Sequence, residues 1–404
     1  MLRVEVALDR ILAEITRLEP EKTPLAEASG RVLAQAIASQ EEVPPFANSA
    51  MDGYALRSSD TQEASQQQPR RLWLAGIVQA GQVAERPIGP GEAMRILTGA
   101  PVPPGADAVI QQELTQTGAG WVEVENPVAQ GNNIRYPGED IRRGTRVLEE
   151  GALLGPAEIG VLASLGVSEV VVYRRPVVAI LATGDELVEI HQALRPGQIR
   201  NSNSYLIAAA VARAGGIPRP LGIAHDQVEE LRAKLQAAQE ADLIITSGGV
   251  SVGDYDLVKD IMREQGVIEF WRVNLRPGKP LAFGRLGGTP LLGLPGNPVS
   301  AAVTLELFAR PALRKMQGFA QLLRPRVQAR LLDSVPESGG RRHYVRARVE
   351  LQESGFVART TGPQGSHILT SMLGANALLV IPENSPPMQP GEMVQAMLLV
   401  EGLD

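Results

Sequence analysis

Four short segments of this chain carry residues able to hold an anion. Thr183-Gly184-Asp185-Glu186-Leu187, the run SGGVSVGDYD at 247–256, and Pro295-Gly296-Asn297-Pro298-Val299-Ser300 each join glycine to hydroxyls or acids. The fourth, Arg276-Pro277-Gly278-Lys279-Pro280, sets two cations in a frame of prolines. Glycine lets a backbone approach a ligand closely, and free N–H groups ahead of a helix attract negative charge. Arg276 and Lys279 would form a compact anion clamp. The carboxylates Glu186, Asp226, Asp242 and Asp256 are the oxygen donors that Mg2+ between phosphates needs. No segment reads GxxxxGK[ST] or GxGxxG, which argues against nucleotide kinases and Rossmann dehydrogenases. Taken singly, each has a plain structural reading: Asp256 caps a helix, Asp242 starts a strand as a turn residue, Ser300 is a turn hydroxyl, and Gly248-Gly249 is a tight turn. Three glycine-rich loops on one sheet edge favour a ligand site instead.

The elements that must position these loops follow from periodicity. After Pro176, strands at 177–182, 218–224, 242–246, 267–273, 281–283 and 290–294 alternate with helices at 204–214, 226–240, 257–265 and 299–315. Asp226 stands as N-cap of the second helix, with Glu229 at the capping-box spacing. This pattern predicts an α/β multidomain chain whose centre is an open, mostly parallel sheet. Earlier, Ala7, Leu8, Ile11, Leu12, Ile15 and Leu18 recur at helical spacing, and Pro20 and Pro24 stop that helix. Residues from about 41 to 139 form a β-rich insert, and 156–165 a helix that closes the interrupted part. Beyond about 324, alternating segments predict a small β domain. The boundaries expected are therefore 1–172, 173–324 and 325–404.

Composition sets the outer limits. The 404 residues suit two to four domains, and the charge balance of 39 basic against 45 acidic residues leaves −6. No general basic footprint for nucleic acid or membrane exists, so an anion site must be local. Cysteine is absent, which excludes disulfides, thiolate nucleophiles and Cys-ligated metal. Four scattered histidines make a His-rich metal centre a poor reading. Apolar runs such as 177–182 are far short of the roughly 18 residues of a membrane span. Glu5 and Asp9 break any apolar leader, so a soluble cytoplasmic protein is expected.

Larger motifs add a resemblance. Pro45-Phe46-Ala47-Asn48-Ser49-Ala50-Met51-Asp52-Gly53-Tyr54-Ala55, with TGAPVP at 98–103 and Gly105-Ala106-Asp107, closely resembles the N-terminal part of the MoeA family, the molybdopterin molybdenumtransferases related to the E domain of gephyrin. TGDEL, SGGVSVGDYD, RPGKP and LPGNPVS resemble the central, molybdopterin-binding domain of that family, and Gly365-Ser366-His367 through Met372 its C-terminal domain. The resemblance runs the whole length of the chain in order. It implies insertion of molybdate into adenylylated molybdopterin with release of AMP, supported by Mg2+. It also implies a homodimer, with the active cleft between the central domain of one subunit and the N-terminal insert and C-terminal domain of its neighbour. Asp52 and Thr98 would then reach the cleft from the partner chain. The catalytic set so implied is Asp52, Thr98, Glu186, Asp226 and Asp256, the last three as Mg2+ ligands. Ser251, Arg276, Lys279, Pro295, Pro298, Ser300, Arg346 and Ser366 would meet the oxyanion and substrate. Molybdate is a tetrahedral dianion, which suits hydroxyls, N–H groups and a few cations. Arg276 departs from the family, where lysine is usual.

Two segments keep structural readings beside this. Arg135, in the run GNNIR, is expected to form a salt bridge between chain segments. Arg341, Arg342, His343, Arg346 and Arg348 read as a solvated basic face, from which Arg346 alone is taken as functional. Two other functions compete: molybdopterin adenylyltransferase, whose catalytic domain resembles 176–320, and a non-catalytic gephyrin-like scaffold. The long flanking domains and MDGYA oppose the first, and the combined acids and cations oppose the second. A transient contact with the adenylyltransferase that supplies substrate is expected.

Overall fold

The computed structural model describes residues 1–225, 227–249 and 257–400. They divide into two compact units, one of 23–29 and 35–170, the other of 1–22, 30–34 and everything from 171 onward. Helix α1 (Val4–Glu14) belongs to the second because Val4, Ala7 and Ile11 bury into its main core, with Phe308 and Leu313.

The first unit is built on six strands: β1 (Gly53–Leu56), β2 (Arg70–Val78), β3 (Glu92–Ile96), β4 (Ala108–Gln111), β5 (Thr115–Gly118) and β6 (Trp121–Val124). Their order is β4-β1-β3-β2-β6-β5, and Tyr54, Leu56, Leu72, Val122 and Val124 fill one face. The expected β-rich insert thus holds this six-stranded sheet and a separate two-stranded ladder. Helix α2 (Pro156–Ser164) starts where Pro156 needs no N–H partner and Glu158 takes the Gly155 N–H at 3.0 Å. The Arg135 expectation is corrected: Ile134 and Arg135 join Ser49 and Asn48 through an antiparallel backbone ladder. Among the described residues Arg135 makes no ion pair, and its side chain is exposed to solvent.

The second unit contains β7 (Val177–Thr183), α3 (Ser202–Arg213), β8 (Ile217–Ala224), α4 (Val228–Ala238), β9 (Leu243–Ser247), α5 (Leu257–Gln265), β10 (Gly266–Arg272), β11 (Pro280–Leu286), β12 (Thr289–Leu294), α6 (Pro298–Thr304) and α7 (Arg310–Met316). The sheet order is β8-β7-β9-β12-β11-β10. Val178 and Ile180 feed one core while Ala179 and Leu181 feed the other, which is why the strand is apolar throughout. The first four strands are parallel, but β11 runs antiparallel to both neighbours. Helix α4 begins at Val228 with Gln227 at the cap position and no side-chain cap bond, so the expected start at Asp226 is two residues early. Asp226 itself lies outside the described residues.

The same unit ends in β13 (Arg326–Leu331), β14 (Arg342–Gln352), β15 (Gly355–Thr360), β16 (Ala377–Ile381) and β17 (Met393–Leu398). The pairings β14–β15, β15–β13, β13–β17, β17–β16 and β16–β14 close a small barrel around Val345, Ala347, Leu379 and Ala396. Among the described residues no helix is long and apolar enough to cross a membrane.

Candidate functional site

Strand order decides where the glycine-rich loops meet. β8 and β9 flank β7 on opposite sides, so the order in which strands are added reverses there and leaves a crevice beyond the carboxyl ends of β7 and β9. The loops after β7, β9 and β12 share that edge. Gly248 stands so close that a Cβ would lie 2.5 Å from the Thr183 carbonyl oxygen, and the same atom on Gly296 would lie 3.8 Å from Gly248 Cα. Asn203, in the first turn of α3, donates through Nδ2 to Ser247 Oγ at 2.8 Å and to the Gly296 carbonyl at 2.7 Å, tying two loops together. Sequence reasoning missed Asn203, since an Asn-Ser run before an apolar helix reads as ordinary capping.

The antiparallel course of β11 adds the fourth segment. Its leading end, rather than its trailing one, lies beside the end of β12, with Ala282 opposite Gly293. Arg276 and Lys279 are therefore carried to the crevice edge, both exposed, while Pro277 and Gly278 are buried. Gly278 has φ +112°, and a Cβ there would press on Thr304 Cγ2 at 2.6 Å, so glycine is what lets the loop seat against α6. Leu275 and Arg276 pair in parallel with Arg342 and His343 of β14, which stitches the loop to the barrel.

The barrel supplies the most unusual group. Arg346 is 0% exposed. Its Nε donates to Ser371 Oγ at 3.1 Å and its Nη2 to the Gly365 carbonyl at 3.2 Å, while Nη1 has no partner. Among the described residues no carboxylate forms an ion pair with it. Burial first, and then Arg276, pull the guanidinium down to about 10. His343, also fully buried, has both ring nitrogens unpartnered and is held neutral, lowered to about 4 by burial and then by Arg276, Arg346 and Arg341. Ser366 closes the arrangement: its carbonyl accepts the Val299 N–H at 3.2 Å, at the start of α6 next to buried Ser300. Pro295 and Pro298 flank the same turn. The C-terminal residues thus stand beside the central loops of their own chain, which corrects the expectation that the C-terminal domain comes from a neighbour. The solvated basic face is corrected too, since Arg342 is taken up by Glu5 and by Glu383 at 3.1 Å.

Of the carboxylates, Glu186 is exposed at the loop after β7, and Gly184 leaves room for its carboxylate. Asp242 belongs to the opposite end of the sheet, where it accepts both terminal nitrogens of Arg174 at 2.6 Å and the Val177 N–H at 2.8 Å. It is a structural acid. Ser251, Asp226 and Asp256 lie outside the described residues. Among the described residues no three acids or histidines gather as a metal would require.

The other unit builds a separate corner. Asp52 Oδ1 accepts from the Thr98 N–H and hydroxyl, each at 2.7 Å, and these two bonds hold its carboxyl below the usual range. Gly53 is obligatory, since a Cβ would collide with the Ile110 carbonyl oxygen at 1.9 Å. MDGYA and TGA therefore meet as one hydrogen-bonded corner, joined further by Gly99 N–H on the Ser49 carbonyl at 2.8 Å.

Residues 2–166 match the MoeA N-terminal region (domain I and II), 179–315 a probable molybdopterin-binding domain, and 328–399 the MoeA C-terminal region (domain IV). The chain is 41% identical over 394 residues to molybdopterin molybdenumtransferase 2 of Mycobacterium tuberculosis, covering 96% of this chain and 97% of that one. The chain belongs to the MoeA family. It is also 38% identical to the molybdopterin molybdenumtransferase of Haemophilus influenzae, over 98% of both chains. A crystal structure of the molybdopterin biosynthesis MoeA protein from Pyrococcus horikoshii superposes with a TM-score of 0.83 at 33% identity, covering 98% of this chain and 100% of that one. Among the chain's MoeA-type features, the crevice loops and the barrel arginine occupy one compact unit, and the MDGYA corner the other.

Proposed function

We propose that this MoeA-family chain is a molybdopterin molybdenumtransferase that inserts molybdenum from molybdate into adenylylated molybdopterin, releasing AMP. Relatives of that name align with it from end to end. The observation that carries the chemistry is Arg346: a buried cation with an unused donor, beside a second cation, is stable only where an anion is expected. A tetrahedral dianion fits that demand. Molybdate would meet Arg346 Nη1, Arg276 and Lys279, with Ser300, Ser366, Pro295 and Pro298 shaping the turn around it; Ser251 completes this set by resemblance. Charge-assisted donors of this kind offset the dianion's charge and favour its exchange onto the dithiolene.

Glu186, Asp226 and Asp256 are proposed to serve the phosphate end, holding Mg2+ or orienting the attacking oxygen; Mg2+ bound there would draw charge from the bridging phosphate. Glu186 is the one of the three whose placement supports this. Asp52 and Thr98 are proposed to complete the cleft of a partner subunit in a homodimer that works in the cytoplasm and takes its substrate from an adenylyltransferase. A carboxylate held ionised by two donors suits a position facing a metal or cationic group.

Purified protein given adenylylated molybdopterin is expected to release AMP only when molybdate is present. Adenylylation of molybdopterin from ATP would instead identify the preceding enzyme, and neither activity would leave a scaffold. Light scattering that finds a stable, active monomer would remove the dimer from the proposal.

A further inference from the structure

A second cavity, of about 730 Å3, opens at the far edge of the central sheet, between the chain leading out of β7 and the end of β8. Its wall contains a built irregularity. The β7–β8 register slips between Ile180 and Ala182, and Gly222 at this bulge has φ +76°. There the Leu221 and Ile223 carbonyls both accept from Lys234 Nζ, so the lysine is committed to the wall. A Cβ on Gly222 would point between Lys234 Nζ and Glu189 Oε1, at 3.8 and 3.9 Å. Bulges of this kind re-aim a strand and cluster beside sites.

The lining combines apolar surface from Leu187, Val188, Leu194 and Ile223 with the polar side chains of Glu189, Gln192, Arg195, Gln198 and His225. Among the described residues the half-buried Glu189 carboxylate has no ion-pair or hydrogen-bond partner. The cavity adjoins the crevice, since Leu187 follows Glu186 directly, and His225, at the mouth, stands 3.7 Å from Asp185 of the β7 loop.

We infer that this cavity takes the fused heterocycle of the substrate, with Glu189 reading its aminopyrimidinone edge. That edge of a pterin presents a ring N–H and an amino N–H side by side, and an ionised carboxylate accepts both. Adenine presents one donor and one acceptor there, so Glu189 selects pterin against adenine and fixes which end of the adenylylated substrate enters this side. The volume lies within the range of pockets that hold small molecules and leaves room for more of the substrate than its ring system. The inference rests on the molybdopterin reading for the identity of the heterocycle.

The test is a fluorescence titration of the full chain with 6-hydroxymethylpterin, and a parallel titration with AMP, without molybdate. Wild type is expected to bind the pterin, Glu189→Gln to weaken it at least tenfold, and AMP affinity to stay within twofold. Glu189→Asp should recover part of the loss. Gly222→Val is a second probe of the cavity, and Leu194→Trp, at the exposed rim, fills it without straining the bulge. Pterin affinity unchanged in both Glu189→Gln and Leu194→Trp would overturn the inference, as would a loss confined to AMP. Pterin binding that depends on Glu189 in a chain with no molybdate-dependent AMP release would overturn the proposed activity and leave this site standing.

Discussion

The two places where chemistry-bearing residues gather satisfy their charges in opposite ways. At the MDGYA corner, the Asp52 anion is exposed and already holds two donors from Thr98. In the barrel cleft, the Arg346 cation is sealed from solvent and keeps one nitrogen without a partner. The corner's acid finds its donors within its own unit, whereas the anion proposed above would supply the partner that Arg346 Nη1 lacks. A folded chain that retains an uncompensated buried charge gives up stability for it, which is why the cleft, more than the corner, marks the binding function.

The largest expected effect follows from that asymmetry. Arg346→Gln should lower molybdate-dependent AMP release by at least a hundredfold while the melting temperature holds or rises, because a buried unpaired charge has been removed. A fall in melting temperature alongside retained activity would make Arg346 a structural residue. Asp52→Asn should also cost activity heavily, here with an unchanged melting temperature, since the neutral isostere still accepts both Thr98 bonds. Full activity in that variant would reduce the corner to a turn. Next comes Lys279→Ala, expected to weaken molybdate binding by roughly ten- to hundred-fold, about 1.5–3 kcal/mol for a lost charge-assisted contact, and AMP binding less. Equal losses for both ligands would move Lys279 to the phosphate end.

The smallest effect is one of pH. His343 is lowered to about 4 in the folded chain, against roughly 6.5 when unfolded. Between those values the unfolded chain binds a proton that the folded chain refuses, so stability is full above about pH 6.5 and falls as the pH drops toward 4. The loss amounts to about 3 kcal/mol by pH 4. His343→Leu should flatten that part of the profile, measured by denaturant unfolding at several pH values. An unchanged slope would assign the acid sensitivity to other groups.

Much of this was legible in the residues themselves. Apolar runs located the inner strands β7, β9 and β12, because strands buried on both faces leave no ambiguity of period. Glycine spacing located the crevice loops, because close backbone approach tolerates no side chain. The course of β11 was not legible: an apolar strand reads the same in either direction, and direction alone decides that the Arg276–Lys279 loop meets the crevice. Asn203 was hidden for another reason, since its work lies in tying loops distant in sequence. The burial of Arg346 was masked by alternation among arginines, a pattern that water-facing strands share. Asp242 shows the converse, an acid of the right type at the wrong end of its strand.

The attachment of the Arg276 loop has a mechanical consequence. One side of the loop is a rung of the barrel sheet through His343, and the other is wedged on α6 through Gly278. Any rocking of the barrel on the sheet must therefore bend this loop and alter the gap between Arg276 and Arg346. Arg276 and Arg346 carry like charges that repel across that gap. An anion bound between them would offset that repulsion, and the two attachments of the loop would carry the change to both the barrel and α6.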